Sequence, residues 1–190
     1  DRYAFVGAVS ASVVVVEGTA TDTDAIDFSG LSLAGGTGVN VDLAMTIPQA
    51  VTGTLMLSLS DGTGIENVIG TGAADTMLGN SRDNVIDGLG GDDTLSGRAG
   101  NNLLDGGADT DTVIETGDVD ATVTATTITG VGSDALVGIE TVDLVGGSGA
   151  NTFTVNGWGG SLILEGGPGS DGYVFVGGAS THVRIVEGAA

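Results

Sequence analysis

The stretch GTGAADTML-GNSRDNVID-GLGGDDTLS-GRAGNNLLD-GGADTDTVI, residues 70–114, divides without a gap into five nines. Glycine opens each nine, at Gly70, Gly79, Gly88, Gly97 and Gly106. The sixth positions are Asp75, Asn84, Asp93, Asn102 and Asp111, and the eighth are Met77, Ile86, Leu95, Leu104 and Val113. An internal period of this kind is the signature of a stacked-coil architecture. In each nine, an x-apolar-x triplet places one side chain inward and its neighbours outward, as strand alternation requires. The remaining six residues are glycine, aspartate, asparagine and small residues, which make turns.

These nonapeptides resemble the repeats-in-toxin consensus Gly-Gly-x-Gly-x-Asp-x-apolar-x, and the third copy, GLGGDDTLS, fits it closely. The resemblance implies an all-β chain, a right-handed parallel β-roll or β-helix solenoid, in which each nonapeptide forms half a coil. Repeats two apart then stack on one edge. Asp75, Asp93 and Asp111 form one column about 5 Å apart per layer, and Asn84 and Asn102 form the other. Three stacked carboxylates repel unless a cation lies between them, and calcium accepts six to eight oxygens in flexible geometry. Carried over from the family, the metal residues are Asp75, Asp93 and Asp111 with the turn glycines Gly70, Gly72, Gly88, Gly90 and Gly106. One Ca2+ is expected between the Asp75 and Asp93 turns and one between those of Asp93 and Asp111. The neutral asparagine column reads as an amide ladder. Asp83, Asp87, Asp92, Asp105 and Asp109 read as solvated face charge, and Asp109 stands where the consensus has a turn glycine.

A longer echo surrounds the block. Residues 1–20 and 171–190 align without a gap at an offset of 170, with 11 identities. The turn at 166–173, GGPGSDGY, puts Asp171 at a sixth position and adds it to the candidate ligands; Asp1 is its counterpart. Gly64-Ile65-Glu66-Asn67-Val68 recurs as Gly138-Ile139-Glu140-Thr141-Val142. The organisation expected is solenoid over 1–69, calcium-binding β-roll over 70–114, and solenoid continuation over 115–190. The 170-residue offset suggests one period of a tandem array, with neighbouring repeats or copies of the chain stacking end to end.

Composition supports this reading. The 190 residues include 36 glycines, two prolines and no cysteine, and 41% are apolar. Disordered linkers lack such an apolar share, so the glycines mark tight turns around a buried core. The net charge of −21, with four arginines and no lysine, repels nucleic acid and anionic membranes and attracts cations. No apolar run approaches a membrane span. The first residue, Asp1, suggests an excerpt or processed product.

The catalytic inventory is thin: one histidine (His182), no lysine, and two tyrosines, Tyr3 and Tyr173, at the same repeat position. An enzyme is not expected. Trp158 is the one candidate for stacking against a surface glycan, with packing at a coil edge the simpler reading. The functional expectation is a calcium-stiffened segment of an extracellular protein, secreted or cell-surface, adhesin-like or fibrous. The alternative is a secretion and folding module of a toxin or of a secreted polysaccharide-modifying enzyme.

Overall fold

A computed structural model describes residues 1–17, 22–33, 35–177 and 180–188. The extremities of the 1–20 and 171–190 echo therefore lie outside the described residues. Among the described residues there is no helix; twenty strands form three sheets. Ten strands make one long sheet and seven make a second, and successive strands of the nonapeptide block alternate between the two. That alternation makes an all-β, parallel β-roll.

The register follows the nonapeptide closely. Thr76–Leu78 pairs in parallel with Thr94–Ser96, which pairs with Thr112–Thr116; on the facing sheet, Asn67–Ile69, Val85–Asp87 and Leu103–Asp105 stack in the same way. Partners such as Thr76 and Thr94, or Val85 and Leu103, are two nonapeptides apart in sequence. Outside this block the coils lengthen. Ala25 pairs with Asn67 and Thr112 with Thr141, so insertions bulge from the roll while the parallel pairing continues.

The central residue of each triplet builds the core. Met77, Leu95 and Val113 from one sheet meet Val68, Ile86 and Leu104 from the other, all fully buried. Each such side chain contributes about 1.5–3 kcal/mol on leaving water. Their flanking residues are half-buried or, like Val85 and Leu103, exposed, as strand alternation requires.

After Thr112–Thr116 the chain leaves the roll, runs through Ala121–Thr124 and Thr127–Thr129 as an antiparallel pair, and rejoins at Ser133–Val137.

Candidate metal centre

The sixth-position residues sit where each turn enters a strand, and each points along the stack. The N–H of Val39 donates to Oδ1 of Asp75 (2.6 Å), that of Asp75 to Oδ1 of Asp93 (2.7 Å), and that of Asp93 to Oδ1 of Asp111 (2.8 Å). Glu140 continues the column by accepting the N–H of Asp111 at 2.8 Å. A buried N–H needs a partner, and here each coil supplies one to the coil before it.

The opposite edge repeats the device. The N–H of Asn84 donates to Oδ1 of Asn102 (2.8 Å), and that of Asn102 to Oδ1 of Asp134 (2.9 Å). The N–H of Asn151 donates to Oδ1 of Asp171 at 2.9 Å, so Asp171 belongs to the asparagine edge, not to that of Asp75, Asp93 and Asp111. The expected amide ladder is thus a ladder of side chain to backbone. Its amide nitrogens turn elsewhere, as when Nδ2 of Asn84 donates to the carbonyl of Glu66. Glu66 itself accepts the N–H of Asp24. The echoed Gly-Ile-Glu motifs therefore end in rungs, one on each edge. The repeat pattern hides this role, because glutamate replaces the sixth-position residue.

The two edges differ in what remains after those rungs are made. Oδ2 of Asp93 and Oδ2 of Asp111 are buried and have no hydrogen-bond partner. The carbonyl of Gly106 lies 2.5 Å from where a Cβ on Gly88 would stand, and Oδ2 of Asp93 is closer still. The opening glycine is required by this convergence of oxygens on its Cα. Burial, with Asp75 and Asp111 adding repulsion, pushes the Asp93 carboxyl up to about 7. Burial likewise raises Asp75 and Asp111.

Asp75 is different in one respect. Its Oδ2 accepts the N–H of Thr71 at 2.6 Å, and the Thr71 hydroxyl donates to Oδ1 at 2.9 Å. Thr71 is buried in this role and presents no surface ladder. The turns divide accordingly. In the third, fourth and fifth nonapeptides the second and fourth residues are left-handed: Leu89 and Gly91, Arg98 and Gly100, Gly107 and Asp109. Thr71, Ala73, Asn80 and Arg82, at the same places in the first two, are not. There the Thr71 hydroxyl and Asn80 Oδ1 accept the N–H two residues on, a local turn that replaces the glycine geometry. Gly72 is accordingly solvent-exposed, with open space about it.

Two further expectations change. Asp83, Asp92 and Asp109 are exposed, yet they accept the N–H groups of Asn101 (2.7 Å), Thr110 (3.0 Å) and Gly91 (3.2 Å) in neighbouring coils. They are outer rungs as well as face charge, because turn N–H groups outside the ladder also need acceptors. Asp87 and Asp105 are half-buried. Trp158 is buried, its indole N–H donating to the carbonyl of Ser161, and so it offers no face to a glycan.

Residues 78–113 match the family model of the RTX calcium-binding nonapeptide repeat (4 copies). These are RTX repeats. Such repeats bind Ca2+ and are structural modules, and the matched stretch takes in the three copies that carry the left-handed turns together with the second copy, which does not. None of the curated proteins matches the chain. The donors fit the ion: hard carboxylate and carbonyl oxygens, two of them buried and unsatisfied, in flexible glycine turns.

Proposed function

We propose that Asp93 and Asp111, with the turn glycines Gly88, Gly90 and Gly106, hold calcium within the RTX block. Asp75, Gly70 and Gly72 form the weaker end of the column, since Thr71 already occupies both oxygens of Asp75. Asp171 is a separate candidate on the other edge; its Oδ2 is buried without a partner beside Gly166. The observation that carries the reading is the pair of unpartnered Oδ2 atoms on Asp93 and Asp111. A bound divalent ion supplies the positive charge that the column lacks and couples folding to calcium concentration.

On this reading the chain is a calcium-stiffened segment of a secreted or cell-surface protein of adhesin-like or fibrous type. Millimolar extracellular calcium saturates sites of this class. Residues 70–114 are the stiff block between the solenoid stretches 1–69 and 115–190.

The echo supports end-to-end stacking of units. Strand Arg2–Gly7 pairs with the chain that follows it, Ala25–Leu31, whereas its counterpart Gly172–Phe175 pairs with the chain that precedes it, Thr152–Asn156. One copy displays the neighbour on one side and the other copy the neighbour on the opposite side, so together they describe a continuous solenoid. Phe5 is 9% exposed and stacks on Phe28 with ring centroids 5.2 Å apart; its counterpart Phe175 is 50% exposed. A following unit brings the equivalent of Phe28 to cover it.

The test is circular dichroism and thermal melting in calcium, magnesium and chelator. Calcium should raise the melting temperature and strand content selectively. Identical melts in calcium and chelator would refute the reading.

A further inference from the structure

Core logic does not account for Glu115. In strand Thr112–Thr116, Val113 and Glu115 are the two buried positions, so a carboxylate occupies a place built for an apolar side chain. Glu115 is 6% exposed and Asp134 2%. Their carboxyl groups lie close enough to interact directly. Oδ1 of Asp134 is engaged by the N–H and Nδ2 of Asn102, at 2.9 and 2.7 Å. The backbone N–H groups of Gly97 and Arg98 approach Glu115 and favour its charged form. Its Oε1 is buried and has no partner.

Beside the pair lies a cavity of about 10 Å³, with Glu115, Asp134 and Thr129 as its polar side chains and apolar ones such as Ile128, Leu144 and Phe153 closing the rest of the wall. That is room for one water or one ion. Two ionised carboxylates side by side in such a place are strongly destabilising without a positive charge. The nearest candidate to supply it, Arg98, is committed elsewhere: its guanidinium spans both oxygens of Asp42 and the carbonyl of Gly79.

We propose that Glu115 and Asp134 anchor a further cation site, taking one Ca2+, at the edge opposite to the Asp93 column. A divalent ion balances both charges, and calcium tolerates the irregular mixture of carboxylate and backbone oxygen better than magnesium, which retains waters that this cavity cannot hold. Glu115 directly follows the last nonapeptide, and Asp134 is where the chain rejoins the edge after its excursion through Ala121–Thr129. The ion ties the two ends of that excursion together and closes the RTX block against the coil beyond it. A proton shared between the carboxyls is the competing occupant; burial and the neighbouring Asp134 push Glu115 up to about 8.

Calcium stoichiometry of the whole chain, measured by titration calorimetry and native mass spectrometry at pH 8, tests the site. Glu115→Gln keeps the side-chain shape and should lose one calcium per chain while the ions at Asp93 and Asp111 remain. The double variant D93N/D111N should keep one calcium. Its asparagines copy Asn84 and Asn102, so the ladder persists. Equal stoichiometry and affinity in E115Q and the parent chain would overturn the site, as would a D93N/D111N variant that folds and binds no calcium. A parent chain that binds a single calcium, lost in E115Q and unchanged in D93N/D111N, would count against the Asp93 column alone.

Discussion

The backbone N–H of Asp93 donates to Oδ1 of Asp111 at 2.8 Å, while Oδ2 of the same Asp111 is buried and unpartnered. One oxygen holds the coil stack together, and the other leaves a negative charge that the protein does not neutralise. The two tasks can be separated by substitution.

Asp93→Asn retains an Oδ1 for the N–H of Asp75 but removes the charge. In chelator this variant should melt several degrees above the parent chain, and in calcium it should gain less. Calorimetry should show at least a tenfold loss of calcium affinity, the scale of one charge-assisted contact of about 1.5–3 kcal/mol.

The pH dependence follows from the raised Asp93, Asp75 and Asp111 carboxyls. A carboxyl whose folded value is raised binds more protons in the folded than in the unfolded state. Its contribution is favourable below the ordinary carboxylate range near 4 and is lost as pH rises towards about 7. In chelator, therefore, the stability that the column provides should fall between about pH 4 and pH 7. The melting shift produced by calcium should be small at pH 5 and largest at pH 8.

Leu89 has φ of 73°, in the left-handed region, and is 40% exposed. Leu89→Gly should raise stability by about 0.5–1 kcal/mol, relieving a strain of about 1–2 kcal/mol against the flexibility of glycine. Arg98 has a similar φ of 62° but its guanidinium pairs with Asp42. Arg98→Gly should therefore show no such gain. Denaturant unfolding of both variants in saturating calcium distinguishes them.

Gly88→Ala should destabilise by about 1–3 kcal/mol, because the added methyl meets Oδ2 of Asp93 and the carbonyl of Gly106. It should also weaken calcium binding by displacing those oxygens. Gly72→Ala, with open space around it and at the weaker end of the column, should change both properties far less than Gly88→Ala in the same melts and titrations.

Phe5→Ala should destabilise the single unit by about 3 kcal/mol or more, as expected for a buried phenylalanine. Phe175→Ala should cost under about 1 kcal/mol in the single unit. In a tandem of two units the internal equivalent of Phe175 should become as costly as Phe5. Equal small effects in both settings would argue against stacking.

The parallel roll was legible in residues 70–114 because its period is local. Glycine at position one, Asp or Asn at position six and an apolar residue at position eight each answer to one turn or one strand. Trp158 and the asparagine column were assigned their packing and hydrogen-bonding roles for the same reason: few partners suit an indole or an amide inside a coil. The left-handed turns at Leu89 and Arg98 were not legible. Neither residue favours that conformation, and it is imposed by Gly91 and Gly100 beside them and by the coils above and below.

By itself, then, the sequence determined the coil period, the inward column from Met77 to Val113, the two edges and the acidic character of one of them. Only the tertiary structure decided which oxygens on those edges remain free. Thr71 silences Asp75, whereas Oδ2 of Asp93 and Asp111 is left bare, and Glu115 meets Asp134 across an excursion that no period records. The reason is physical: a repeat specifies which residues recur, but the satisfaction of a buried oxygen depends on atoms brought near it from other coils.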